Sequence, residues 1–251
     1  MSNQTKGILR IGTSGIVVPG SKETYPPEFQ QKSRLNYYSS LFNTLEINST
    51  FRKIPRVSTF ENWSSDVPKP FLFTVKLWKE ITHIKKLAID LHNINNFLTA
   101  AKHIGNKKGC LLVQFPGSIT ADYHRQVEEI LQRLQEQDSK GTWKKAIEFR
   151  SVTWYNSETY WLLHKYNSTI VIHDMPKSNN LSFDGELPFG YWRFHGPTGD
   201  YRGSYSDAFL AEQAEKISGL LRQGKDVYVY FNNTMGDAFG NAMSLKSLVK
   251  K

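Results

Sequence analysis

The chain of 251 residues is 39% hydrophobic and 13% aromatic, with 32 Lys and Arg against 23 Asp and Glu, a net charge of +9. That length suits one α/β domain of barrel size, about 250 residues, and leaves little room for a second. No apolar run approaches the roughly 18 residues of a membrane span, the polar stretch Met1 to Lys6 lacks a signal-peptide core, and the single Cys110 excludes an intrachain disulfide.

The first apolar run, residues 8–11, leads into the turn Gly12-Thr13-Ser14-Gly15. After Pro27 the pattern predicts a helix over 28–42, then a strand over 44–47 that carries Glu46 and leads into Asn48. A helix over 58–65 and a strand over 71–75 follow, with Lys76 at the strand's end, and then a long polar stretch, 78–91. A helix closing near Gly105 precedes the strand 110–115, which carries Gln114 and is broken by Pro116. The helix expected over 122–137 places Val127, Ile130, Leu131 and Leu134 on one face. The strand 145–149 carries Glu148, with Arg150 just beyond, and a helix over 157–166 follows. The strand 169–172 meets His173 and Asp174, and the polar stretch 177–188 has little helical pattern. The strand 190–194 carries Arg193 before His195, and a loop 196–206 precedes a helix over 207–222. The last strand, 227–231, leads to Asn232 and Asn233, then to a short helix ending near Val249.

Eight short apolar runs separated by helical patterns read as buried parallel strands in βα units. The expectation is therefore an α/β fold: a single (β/α)8 TIM-type barrel with parallel strands, one domain over residues 1–251. In such a barrel the active site lies at the C-terminal ends of the strands, where the polar residues fall. Cys110, inside an apolar run, reads as core packing in a reducing compartment, so a cytoplasmic location is expected. The charge excess is uneven: residues 1–110 hold 16 Lys and Arg against 7 Asp and Glu, and residues 111–251 hold 16 of each. A basic first half suits anionic partners, nucleic acid among them.

Glu46 and Glu148 are the leading acid and base, because each carboxylate sits in an apolar run where an unpartnered charge would be expensive. In a strand, residues i and i+2 share a face, which pairs Glu148 with Arg150 and Arg193 with His195. His195 is a second proton carrier. Lys76, Arg150 and Arg193 would clamp an anion, and Thr13, Asn48, Gln114, Asn232 and Asn233 would orient polar groups. Asp174 would orient a base. Trp154, Tyr201 and Tyr205 are candidate stacking platforms. Glu46, Glu148, His173, Asp174 and His195 are donor types that suit a divalent metal. Three cations on the same rim instead favour a metal-free anion site, with no cofactor and the metal as alternative.

Several motifs together resemble the YecE-like family. They are Gly12-Thr13-Ser14-Gly15, Glu46-Ile47-Asn48-Ser49-Thr50-Phe51, Val75-Lys76, Gln114-Phe115-Pro116, Glu148-Phe149-Arg150, Trp154, Asp174-Met175-Pro176, Arg193-Phe194-His195-Gly196 and Tyr230-Phe231-Asn232-Asn233. They run in order along nearly the whole chain. The resemblance implies a TIM-barrel-like fold and no particular activity. The chain departs from the family pattern at Ile16, where an aromatic is usual, and at Arg52, where tyrosine is usual.

The functional expectation is an enzyme acting by acid/base catalysis on a small anionic, phosphate-bearing substrate: a metal-independent hydrolase, isomerase or lyase. The alternatives are a nucleic-acid-binding protein or metal-dependent phosphodiesterase or nuclease, and a noncatalytic metabolite sensor. No membrane partner is expected.

Overall fold

The apolar runs become strands and the stretches between them mostly become helices in the computed structural model, which describes residues 6–249. In chain order these form β1 (Leu9–Thr13), α1 (Arg34–Leu41), β2 (Thr44–Ile47), α2 (Ser49–Arg52), α3 (Val57–Ser65), β3 (Leu72–Lys76), α4 (Lys79–Thr82), α5 (His92–Ala101) and β4 (Lys108–Phe115). Then come α6 (His124–Gln137), β5 (Lys144–Phe149), α7 (Ser157–Lys165), β6 (Ser168–Ile170), β7 (Ile172–His173), β8 (Gly190–Phe194), α8 (Asp207–Arg222), β9 (Val227–Phe231) and α9 (Ala238–Val249). No helix is long and apolar enough to cross a membrane among the described residues.

The strands form a four-stranded sheet, order β1-β9-β8-β7, and a five-stranded sheet, order β2-β3-β4-β5-β6. The described pairings are parallel, as expected for strands buried on both faces. The chain divides into two compact units: residues 1–46 with 171–251, and residues 47–170. In the first unit, β8 sends Tyr191 and Arg193 to one face and Trp192 and Phe194 to the other. α8 lays Leu210, Ala214, Ile217 and Leu221 in the core and is capped by Ser206, whose side chain accepts the Phe209 N–H. In the second unit, α6 buries Val127, Ile130, Leu131 and Leu134, the apolar face read from the sequence. Phe115 at the end of β4 and Phe149 at the end of β5 stack side by side, 5.6 Å between centroids.

Two expectations are corrected. The strand expected over 169–172 is two strands, which makes nine among the described residues. Its break has a local cause: the Asn180 side chain donates to the Val171 carbonyl at 3.0 Å and accepts from the His173 N–H at 2.8 Å, taking ladder positions that a neighbouring strand would fill. The helix expected over 28–42 begins only at Arg34, where Ser33 accepts the Asn36 N–H at 2.9 Å. Ahead of it, Pro27–Phe29 forms a single 3-10 turn. The polar stretch 78–91, to which the sequence assigned no element, holds α4 and a 3-10 turn over Lys85–Leu87.

Candidate functional site

In the first unit, Glu46 and Arg193 are both buried and meet as a two-pronged ion pair: Arg193 Nε donates to Glu46 Oε2 at 3.0 Å and Nη2 to Oε1 at 2.8 Å. Ser14 donates to Oε1 at 2.5 Å and Tyr191 to Oε2 at 2.6 Å. Burial pushes the Glu46 carboxyl up, but Arg193, Ser14 and Tyr191 together outweigh it and hold the group below the ordinary carboxylate range. Glu46 is thus an ionised, fully engaged acceptor. The chain continues through Arg193 Nη1, 3.3 Å from His195 Nε2, and His195 Nδ1, 2.9 Å from Asp174 Oδ1. The His195 N–H also donates to Asp174 Oδ1 at 2.8 Å. Tyr205 donates to Asp174 Oδ2 and accepts the Gly196 N–H at 2.5 Å. Burial and the Asp174 charge push the Tyr205 phenol up, so it stays a donor. An arginine proton toward Nε2 and a carboxylate at Nδ1 define a neutral imidazole protonated on Nδ1. Both ring nitrogens of His195 are therefore occupied.

The second unit holds a different cluster at its strand ends. Lys76 ends β3, lies 4.1 Å above the Phe51 ring and donates to Gln114 Oε1 at 2.7 Å. That bond fixes the Gln114 amide, turning its NH2 toward His83 Nε2, 3.5 Å away. His83 Nε2 must then accept, so the ring proton sits on Nδ1, 2.8 Å from Thr82 Oγ1. Gln114 and Glu148 are direct neighbours in the β4–β5 register. Glu148 is buried and ion-paired to Arg150. Burial first, then the Lys76 and Arg150 charges, lower the His83 pKa to about 4, against an opposing pull from Glu148. Lys76, His83, Gln114 and Arg150 are all partly open to solvent. Lys76 and Arg150 against Glu148 leave the cluster one positive charge, with a neutral proton acceptor beside it.

The other expected residues divide similarly. Thr13 is buried and its hydroxyl donates to the Gly15 carbonyl at 2.6 Å. Asn233 is buried and latches the loop after β8, donating to the Gly203 carbonyl and to Asn241 Oδ1 at 3.0 Å each. Asn232 is half-buried and pairs through its backbone N–H with the Phe194 carbonyl at 2.7 Å. Asn48, at the entry to α2, has a solvent-shielded Oδ1 with no hydrogen-bond partner among the described residues. Trp154 is no platform: it is buried against Phe149, 4.3 Å between centroids, with its N–H on the Ile119 carbonyl at 2.7 Å. Tyr205 is likewise buried, which leaves Tyr201, edge-on to His195 at 5.8 Å, as the exposed aromatic of the three. His83 was missed by sequence reading, because it follows α4 inside a stretch read only as polar. The only sequence signal was its place seven residues after Lys76.

Among the described residues, no group of three or more His, Cys, Asp or Glu side chains is placed to hold a metal. The expected donors have other partners: Glu46 is held by Arg193, Glu148 by Arg150, and Asp174 by His195 and Tyr205.

Fold and site define a parallel α/β protein with a buried ion-pair chain in one unit and a half-open, net-positive cluster around a neutral histidine in the other. The chain belongs to the family described as "Protein of unknown function DUF72", which matches residues 10–251; the YecE-like resemblance is to this same family. It is 26% identical to the UPF0759 protein YunF of Bacillus subtilis (strain 168) over 258 residues, 90% of this chain and 89% of that one. Among solved structures it is similar to a DUF72 family protein from Enterococcus faecalis V583, with TM-score 0.79 and 21% identity over 97% of this chain and 96% of that one. A DUF72 family protein from Thermotoga maritima MSB8 aligns with TM-score 0.73 and 25% identity over 97% and 100% of the two chains.

Proposed function

We propose that the chain is an enzyme acting by acid/base catalysis on a small anionic, phosphate-bearing substrate, with the cluster of the second unit as its site. The observation that carries this reading is His83: a neutral imidazole with its lone pair fixed on Nε2, half-open to solvent, and within reach of the Lys76 and Arg150 charges. Lys76 and Arg150 attract the anion, Gln114 orients it, and His83 takes the proton. Two of the cations that depress the His83 pKa, Lys76 and Arg150, are the ones a bound phosphate would neutralise. Substrate binding therefore raises the basicity of His83 when a base is needed. Glu148 holds Arg150 in place. Glu46, Arg193 and His195, proposed from sequence as acid, clamp and proton carrier, act on this reading as a buried scaffold. The (β/α)8 barrel, the cytoplasmic location and the absence of a metal requirement are parts of the same proposal.

The test is a turnover screen of phosphorylated metabolites against the wild-type chain and His83→Gln. The variant should lose about 10²-fold or more in kcat while still binding the substrate. Lys76→Gln should mainly raise KM. Equal turnover by wild type and His83→Gln on every active substrate would refute the assignment. Binding without turnover by the wild type would make the chain a metabolite sensor. The charge excess confined to residues 1–110 supports a second reading, a nucleic-acid-binding protein.

A further inference from the structure

The second unit contains a cavity of about 380 Å³ between the end of α5, the start of β4 and the turn from α6 into β5. That is within the range of about 300–1,000 Å³ usual for small-molecule sites. Lys102, Lys108 and Lys140 line it, and none of the three carries an ion pair among the described residues. One carboxylate, Asp138, also lines it, but its oxygens are taken: Oδ1 by the Thr142 N–H at 3.1 Å and the Thr142 hydroxyl at 2.6 Å, Oδ2 by the Trp143 N–H at 2.8 Å. These bonds lock the turn. Gly141 holds it at φ +59°, with its N–H on the Asp138 carbonyl at 2.7 Å. The apolar part of the wall comes from Leu98 and Trp143.

We infer that this cavity is a second anion site, for a phosphate-bearing small molecule with an apolar or aromatic body. Three unpaired ammonium groups around one hydrogen-bonded carboxylate give a net positive mouth, and lysine is a good point-charge partner for phosphate. The turn is fixed in advance, so little ordering opposes binding. The site is separate from the strand-end cluster. β4 begins at Lys108 and carries Gln114 six residues on, a separation of about 20 Å at the usual strand rise. The inference therefore does not depend on the proposed function.

Isothermal titration of the full chain with AMP, and separately with inorganic pyrophosphate, tests it. The expected result is saturable AMP binding that weakens about tenfold or more in Lys102→Gln/Lys108→Gln/Lys140→Gln. That binding should persist within about twofold in Lys76→Gln/His83→Gln. Pyrophosphate should bind more weakly than AMP if the apolar wall contributes. The three lysines are at the surface or partly open, and a circular dichroism melt of the triple variant verifies that it folds. No saturable AMP binding up to about 5 mM overturns the inference. So does binding that survives in the triple variant but disappears in Lys76→Gln/His83→Gln.

Discussion

His83 and Glu46 show how the same two ingredients, burial and neighbouring charge, give opposite results. At His83 both act against the charged form. The unfolded chain protonates this histidine near its ordinary pKa of about 6.5, whereas the native one resists until about 4. Between those values the unfolded state holds more protons, so stability falls as pH falls through that window and is flat above it. For this partly exposed group the loss is on the order of 2–3 kcal/mol. Urea midpoints at pH 7 and pH 4.5 should therefore fall further for wild type than for His83→Gln; parallel falls would show that His83 does not titrate late. At Glu46 the neighbouring charge opposes burial and wins. Glu46→Gln leaves the Arg193 guanidinium buried without its carboxylate and should cost about 3–5 kcal/mol, a fall in Tm on the order of 10 °C. Arg193→Lys should also be costly, since an ammonium cannot reproduce the two-pronged contact. A Glu46→Gln melt close to wild type would mean that the ion pair contributes little.

At the scale of elements, short side-chain and backbone devices decide where the strands end and the loops stand. Asn180 divides the expected sixth strand into β6 and β7 by bonding to Val171 and His173. After β8, Gly196 turns the chain at φ +99°, and a Cβ there would lie 2.3 Å from the Arg202 carbonyl oxygen. Its N–H also meets the Tyr205 hydroxyl that supports Asp174. Gly196→Ala therefore combines left-handed strain with a backbone collision, and should destabilise by about 1–3 kcal/mol or more. Gly15, also left-handed at φ +86°, has no atom of the described residues within 4 Å of an added Cβ. Thermal melts should rank Gly196→Ala below Gly15→Ala, which carries the left-handed strain without the collision, and the reverse order would contradict this account of the turn.

For the whole molecule, the charge of +9 and its confinement to residues 1–110 are the measurable features. Phosphate-dominated nucleic-acid binding loses affinity steeply with salt, whereas recognition of a small substrate by a two-cation cluster does not require affinity for DNA or RNA. The proposed function expects no shifted band with random-sequence DNA at about 150 mM salt, where screening acts within about 8 Å. A shift that disappears steeply as salt rises would instead favour the nucleic-acid reading. Membership of the DUF72 family rests on residues 10–251, so it concerns the chain as a whole and does not choose between these readings.

The sequence alone determined most of the strands, because buried parallel strands are continuous apolar runs: Thr44–Ile47, Gly190–Phe194 and Val227–Phe231 fall at the expected residues. α6 and α8 were legible for a related reason, their apolar faces repeating at helical spacing. The strand-end positions of Glu46, Lys76, Gln114, Glu148 and Arg193 were legible too, since a polar residue in an apolar run stands out. What those groups do was decided by the tertiary structure. Spacing paired Arg193 with His195, but only the fold set Arg193 on Glu46, 147 positions away, and so engaged a residue expected to clamp substrate. The fold also brought His83 to Gln114, 31 positions away, out of a stretch with no periodic signal. Local sequence sets which face a side chain takes on its own strand. Many of the charges and hydrogen bonds that fix its protonation come from residues distant in the chain, and those exist only once the strands are side by side.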